Sequence, residues 1–200
     1  MGHAITELVE GAMGSPWLYV ALLAFATIDG FFPAVPSESL VVSAGVFAAT
    51  GEPNVFAVIG VAALGAFAGD HISYLLGRTA GGRVRPEGRK AAALERGGRL
   101  LAERGGTILI VCRYIPGART AITLTAGAVR YPLHRFSLFD GAAAFSWVAY
   151  SALVGYVWGA AFEEQPLKGL ALGLGIALTV ALLVELGRHA RRRQPFPAPC

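Results

Sequence analysis

Residues 31–50 read FFPAVPSESLVVSAGVFAAT, and residues 107–129 read TILIVCRYIPGARTAITLTAGAV. Both are apolar enough to enter a bilayer, and both are broken in the middle by proline beside charge. A straight helix would lose backbone hydrogen bonds at Pro33, Pro36 or Pro116, and lipid has no water to replace them. Two arms of about ten residues, each ~15 Å long, instead reach mid-depth and return. Each stretch therefore reads as a re-entrant helical hairpin, with tips at 33–38 and 115–119.

The rest of the chain agrees with a bilayer as solvent. Of its 200 residues 54% are hydrophobic and only 15% charged, with mean hydropathy +0.55; soluble domains carry about 25% charge. The same figures exclude intrinsic disorder. With two cysteines in all, Cys112 in an apolar run and Cys200 at the end, no disulfide framework exists. The net charge of +4 comes without aromatic–basic interleaving or a nucleic-acid motif, so no nucleic-acid partner is expected.

Outside the hairpins, 166–187, 136–162 and 55–76 are apolar runs of spanning length, since about 20 residues cross the hydrocarbon core. A less regular run over 17–28, with the stretch before it, makes a further crossing that tilts or breaks near Pro16. Basic residues set the orientation. Arg78, Arg83, Arg85, Arg89, Lys90, Arg96, Arg99 and Arg104 follow the 55–76 run, and Arg188, Arg191, Arg192 and Arg193 lie in the tail. The positive-inside rule makes both segments cytoplasmic, so the hairpins enter from opposite faces and both termini lie inside.

The expected architecture is an all-α polytopic membrane protein: two opposed re-entrant helical hairpins in an inverted repeat, plus about four spanning helices. It forms one integral membrane domain over 1–200. The first repeat is 29–78 with its hairpin at 31–50, followed by a basic cytoplasmic connector at 78–105. The second repeat is 107–160 with its hairpin at 107–129, and 166–187 is a C-terminal spanning helix. The inverted repeat rests on Ser-Ala-Gly at 43–45 against Thr-Ala-Gly at 125–127, and on Gly65 and Tyr74 spaced like Gly141 and Tyr150.

Four charges stand where a bilayer penalises them: Asp29 and Glu38 near the first tip, Arg113 and Arg119 at the second. At about 2.5–3.5 kcal/mol each, an unpaired set costs on the order of 10 kcal/mol. Opposed tips bring acid and base together around a polar cavity. Such a cluster is either a structural ion-pair network or a transport site. In the second reading Arg113 and Arg119 bind a phosphate through charge-assisted hydrogen bonds, aided by the helix N-terminus after Gly117. A carboxylate, Asp29 or Glu38, that loses its arginine to the anion then takes up a proton. Asp70, with His71 beside it and Tyr74 one turn on, either lines a proton path or pairs with an arginine near the interface. Asp140 is expected to form a surface pair with Arg135 and His134. Trp147, Trp158, Tyr150 and Tyr156 read as packing and interface anchors. The connector reads as a surface helix on anionic headgroups, and Met1-Gly2 with Thr6 as an accidental myristoylation match. The chain carries no Walker loop, dinucleotide fingerprint or metal-spaced ligands, so neither an enzyme, a cofactor nor a metal is expected.

The runs FFPAVPSESLVVSAG at 31–45, GDHISYLLGRTAGG at 69–82 and RYIPGARTAITLTAGAVRYPLHRFSLFDGAAAFSWVAYSALVGYVWG at 113–159 resemble the DedA family, the bacterial branch of the VTT membrane proteins. The resemblance implies a multi-pass protein of the bacterial inner membrane with two opposed hairpins. It also implies proton-motive-force-dependent transport, including translocation of undecaprenyl phosphate or phospholipids. The family's important acidic and basic positions fall on Asp29, Glu38, Arg113 and Arg119. Ser37 departs from a usual glycine and Asp140 from a common asparagine. The expected function is a transporter or flippase for a phosphate-bearing lipid, with membrane lipids and protons as partners. Arg113 and Arg119 would bind the headgroup; Asp29, Glu38 and Asp70 would couple the proton. The alternatives are a proton-driven antiporter of a small ion or solute, and a non-transporting scaffold.

Overall fold

The computed structural model describes residues 11, 15–32, 35–81, 88–115 and 117–161. They form seven helices and no strand: α1 Pro16–Phe31, α2 Ser37–Ala48, α3 Val55–Gly81, α4 Arg89–Arg104, α5 Thr107–Arg113, α6 Ala118–Ala128 and α7 Leu133–Ala161. Two of them, α3 at 27 residues and α7 at 29, are long and apolar enough to cross a membrane. The run at 17–28 falls in the 16-residue α1, and the expected span at 166–187 lies outside the described residues.

Local sequence sets the helix starts. Pro16 takes the first position of α1, where its missing N–H costs nothing, and Ser15 Oγ accepts the Trp17 N–H at 3.3 Å. Asn54 Oδ1 accepts the N–H groups of Phe56 and Ala57 at 2.9 and 3.2 Å and opens α3. The chain breaks between α1 and α2, and again between α5 and α6, where Gly117 holds φ +76°, a conformation glycine adopts without steric cost. These breaks fall at the expected tips. The stretch 31–50, expected to hold two arms, holds one helix, α2, and the helix before the break is α1, the run at 17–28, which nothing interrupts ahead of Pro33.

Small residues join the helices in a matched pattern. α1 lies on α3, where Gly65 faces the Leu23 carbonyl and Gly69 that of Thr27. α2 packs on α7 through Gly45 against Ala152, Gly155 against Val42 and Gly159 against Val46. α6 packs on α3 through Gly127 against Tyr74, Gly77 against Leu124 and Gly81 against Ala128. The two seams have one spacing, so each short helix after a break lies on the long helix of the other half. Tyr74 therefore occupies the place of Ala152. The spacing of Gly65 and Tyr74 against Gly141 and Tyr150 is not the one the packing uses, since Tyr74 is fully buried and Tyr150 is 60% exposed.

The connector helix α4 is more than a surface element. Leu101 is buried, and Gly97 sits against Thr125 of α6, while Arg96, Arg99 and Arg104 stay exposed. Large apolar side chains are bare elsewhere: Phe56 is 80% exposed, Leu138 72% and Leu64 64%. On the two longest helices such faces are written for lipid rather than water.

Candidate functional site

The helix breaks meet α3 and α7 at a charged centre. Asp29 lies near the end of α1, Asp70 late in α3, Arg113 at the end of α5, Arg119 at the start of α6 and Asp140 in α7. Arg113 Nη1 donates to Asp70 Oδ2 at 2.5 Å and pairs with Asp140 Oδ1 at 3.5 Å. Arg119 Nε donates to Asp70 Oδ1 at 2.9 Å, and its Nη1 to Asp29 Oδ2 at 3.1 Å. Asp70 thus bridges both guanidinium groups with no solvent exposure of its own. The Ser37 hydroxyl donates to Asp29 Oδ2 at 2.8 Å and ties the start of α2 to the end of α1, a link that a glycine there would lack.

In front of the arginines lies a cavity of about 460 Å³. Arg113, Arg119 and Asp29 line it together with Ser37 and Glu38; Val35, Tyr114, Ile115 and Tyr150 are also part of its wall. Of these last, Tyr114 is 49% exposed and Ile115 43%. The Trp147 ring also lines the cavity, with the Arg113 guanidinium 5.6 Å from its centroid. An arginine carries five N–H donors. Nε and Nη2 of Arg113 and Nη2 of Arg119 are buried and have no hydrogen-bond partner among the described residues. The carboxylates leave these three donors free, on two arginines that line the cavity.

The structure brings together three of the four singled-out charges, Asp29, Arg113 and Arg119, and adds Asp70 as their hub. Glu38 stands apart. It is exposed in the first turn of α2 and lines the cavity, and no cation lies within ion-pair reach of it among the described residues. Asp70 pairs with arginine, and it takes both tip arginines. Asp140 departs furthest from expectation, being buried against Arg113 while His134 and Arg135 are exposed. Neighbours three or four apart share a helix face, whereas these lie five and six positions away. The helix start after Gly117 is also not free for an anion, because the N–H groups of Ala118 and Arg119 both turn to the Ile115 carbonyl at 3.1 and 3.4 Å. Trp147 is buried in the core, as a packing residue, and also lines the cavity.

Sequence reasoning named His71 beside Asp70 but missed its partners. Its Nδ1 lies 2.8 Å from the Phe67 carbonyl and 3.7 Å from Asp140 Oδ2, and its Nε2 lies 2.8 Å from Ser137 Oγ. The signal was present in the adjacency of His71 to Asp70, but adjacent residues on a helix point in different directions, and nothing local revealed Asp140 as the partner.

The VTT domain family model matches residues 35–157. The chain is 26% identical over 166 residues to Protein DedA of Escherichia coli, covering 80% of this chain and 76% of that protein. It is 29% identical over 200 residues to an uncharacterised membrane protein of Mycobacterium tuberculosis, covering 94% and 86%. It is 35% identical over 136 residues to an uncharacterised membrane protein of Haemophilus influenzae, covering 63% of each. No solved structure matches.

Proposed function

The chain belongs to the DedA family of VTT-domain membrane proteins, and from that premise we propose that it is a transporter moving a phosphate-bearing lipid across the bacterial inner membrane. Both termini are cytoplasmic, and the two helix breaks meet at mid-depth as the tips of opposed re-entrant hairpins. The headgroup enters the cavity and takes the free N–H donors of Arg113 and Arg119. The isoprenoid or acyl tail stays outside in the bilayer, beside Tyr114, Ile115 and Tyr150.

The observation that carries this reading is the set of buried, unpartnered guanidinium donors, Arg113 Nε and Nη2 and Arg119 Nη2, at the side of a cavity with apolar and aromatic residues in its wall. Buried polar groups are normally paired, and each exception calls for a partner. A phosphate presents several acceptor oxygens to such donors, and hydrogen bonds to charged groups contribute about 1.5–3 kcal/mol each. Arg119, with 11% of its side chain exposed, is the freer of the two. As the anion draws it from Asp29 and Asp70, the released carboxylate takes a proton, with Glu38 at the cavity as a second acceptor. Transport is thereby coupled to the proton gradient.

The test is equilibrium binding of a long-chain lipid phosphate to the purified protein, beside the alcohol of the same chain. The phosphate binds at least about tenfold tighter, the equivalent of about 1.4 kcal/mol, and Arg119→Gln removes that preference. Equal affinity for phosphate and alcohol overturns the proposal. Displacement of the lipid by inorganic phosphate at equal concentration transfers the site to the small-ion antiporter reading.

A further inference from the structure

Charge arithmetic at the buried centre does not close. Two arginines, Arg113 and Arg119, pair with three carboxylates, Asp29, Asp70 and Asp140. One negative charge is left over where a charge without a counter-ion is most costly. The surplus is most exposed in its consequences at Asp140. It is buried, its only guanidinium contact is the long one of 3.5 Å, and its Oδ2 has no hydrogen-bond donor among the described residues. The nearest group able to carry positive charge on that oxygen's side is His71, whose Nδ1 is 3.7 Å away.

We infer that His71 and Asp140 together form a second proton-binding site at the charged centre, besides the carboxylates at the anion cavity. The imidazole is built to hold or release one proton without moving. Nδ1, 2.8 Å from the Phe67 carbonyl, carries its hydrogen in both states. Nε2 faces the Ser137 hydroxyl at 2.8 Å, and a hydroxyl both donates and accepts. It accepts from the imidazolium and, by rotating, donates to the neutral ring. His71 is 22% exposed, against 2% for Asp140, so it is the more accessible member of the pair. Neither residue lines the cavity, whereas Arg113 and Arg119 do. The charged groups around the pair are Asp70 on α3, Arg113 on α5, Arg119 on α6 and Asp29 on α1. The Tyr74 hydroxyl is held by the Tyr131 carbonyl, and His134 and Arg135 of α7 are exposed. The inference deepens the transport reading by adding a proton site to the carboxylates at the cavity; it rests on that reading for the proton's purpose alone.

The experiment is histidine-selective ¹⁵N NMR of the full chain in lipid nanodiscs, with no lipid phosphate added. The four imidazoles are titrated between about pH 5 and about pH 8, the window of histidine. His71→Gln identifies the His71 signals by their loss. Asp140→Asn removes the carboxylate 3.7 Å from Nδ1 and changes the His71 signals across that pH range. Ser137→Ala, which leaves every ion pair in place, alters the Nε2 signal and spares Nδ1. A His71 titration identical in the parent and in Asp140→Asn overturns the inference, as does an Nε2 signal indifferent to Ser137→Ala should Asp140→Asn fail to fold. Because these readings need no transport, their failure leaves the lipid reading standing. A failed lipid assay with the coupled titration intact removes the transport reading instead.

Discussion

Replacing Arg113 by glutamine removes the positive charge and keeps much of the side chain's bulk. Only 2% of the Arg113 side chain is exposed, and its partners Asp70 and Asp140 are exposed by 0% and 2%. Water cannot repair the loss, and Asp140 is left with no guanidinium. Breaking a buried pair by removing one partner costs about 3–5 kcal/mol. For a chain of this size each kcal/mol lowers the melting temperature by about 2–4 °C, so Arg113→Gln melts roughly 6–20 °C below the parent. Arg119→Gln is the internal comparison. Its side chain and that of Asp29 are 11% and 15% exposed, and Asp70 keeps Arg113, so the loss is about 1–2 kcal/mol. The assay is thermal unfolding of the detergent-purified proteins by circular dichroism, at about pH 8 and about pH 5. The sign of the pH effect follows from linkage: acid neutralises a carboxylate that has lost its guanidinium, so the Arg113→Gln deficit shrinks toward acid. A variant as stable as the parent, a loss smaller than that of Arg119→Gln, or a deficit that grows toward acid refutes the reasoning.

Glu38→Gln, at an exposed position outside the ion pairs, changes stability by less than about 0.5 kcal/mol and abolishes the response of transport to a pH gradient; a retained response in reconstituted vesicles removes Glu38 from the coupling. Gly127→Ala places a methyl group on the Tyr74 carbonyl and lowers stability by about 1–3 kcal/mol. Gly60→Ala meets nothing within 4 Å and is neutral or stabilising by up to about 1 kcal/mol, so equal melting temperatures for the two contradict the packing. Spin labels at Leu64 and Leu138 in a cysteine-free chain relax faster with oxygen than with a water-soluble nickel chelate. The opposite order contradicts the lipid-facing assignment of those sides of α3 and α7.

What the sequence made legible was whatever lipid penalises strongly. Prolines beside charges at 33–38 and 115–119 marked the helix breaks, because an unsatisfied backbone in lipid admits few alternatives. Arg113, Arg119 and Asp29 stood out because charge in an apolar run demands a partner. The partners themselves were less legible. Asp70 and Asp140 sit in long helices whose apolar residues run nearly all round, so periodicity does not mark the inward face. Asp140 has basic residues nearby in the chain, which made a local pair look sufficient. Only the crossing of α3 and α7 turns Asp140 toward Arg113 and His71. The register between the halves was hidden for a related reason. Identical residue pairs drew attention to Gly65–Tyr74 and Gly141–Tyr150, while the packing matches Tyr74 to Ala152, a likeness of position and not of side chain.

The most direct measurement reconstitutes the purified chain in liposomes and follows the accessibility of a lipid phosphate headgroup from outside, with and without a pH gradient. Headgroups cross faster with the protein than in empty vesicles, the gradient accelerates them, and Arg119→Ala returns the rate to that of empty vesicles. Headgroup movement at the parent rate in Arg119→Ala contradicts the account and leaves the charged centre as a device that only holds the helices together.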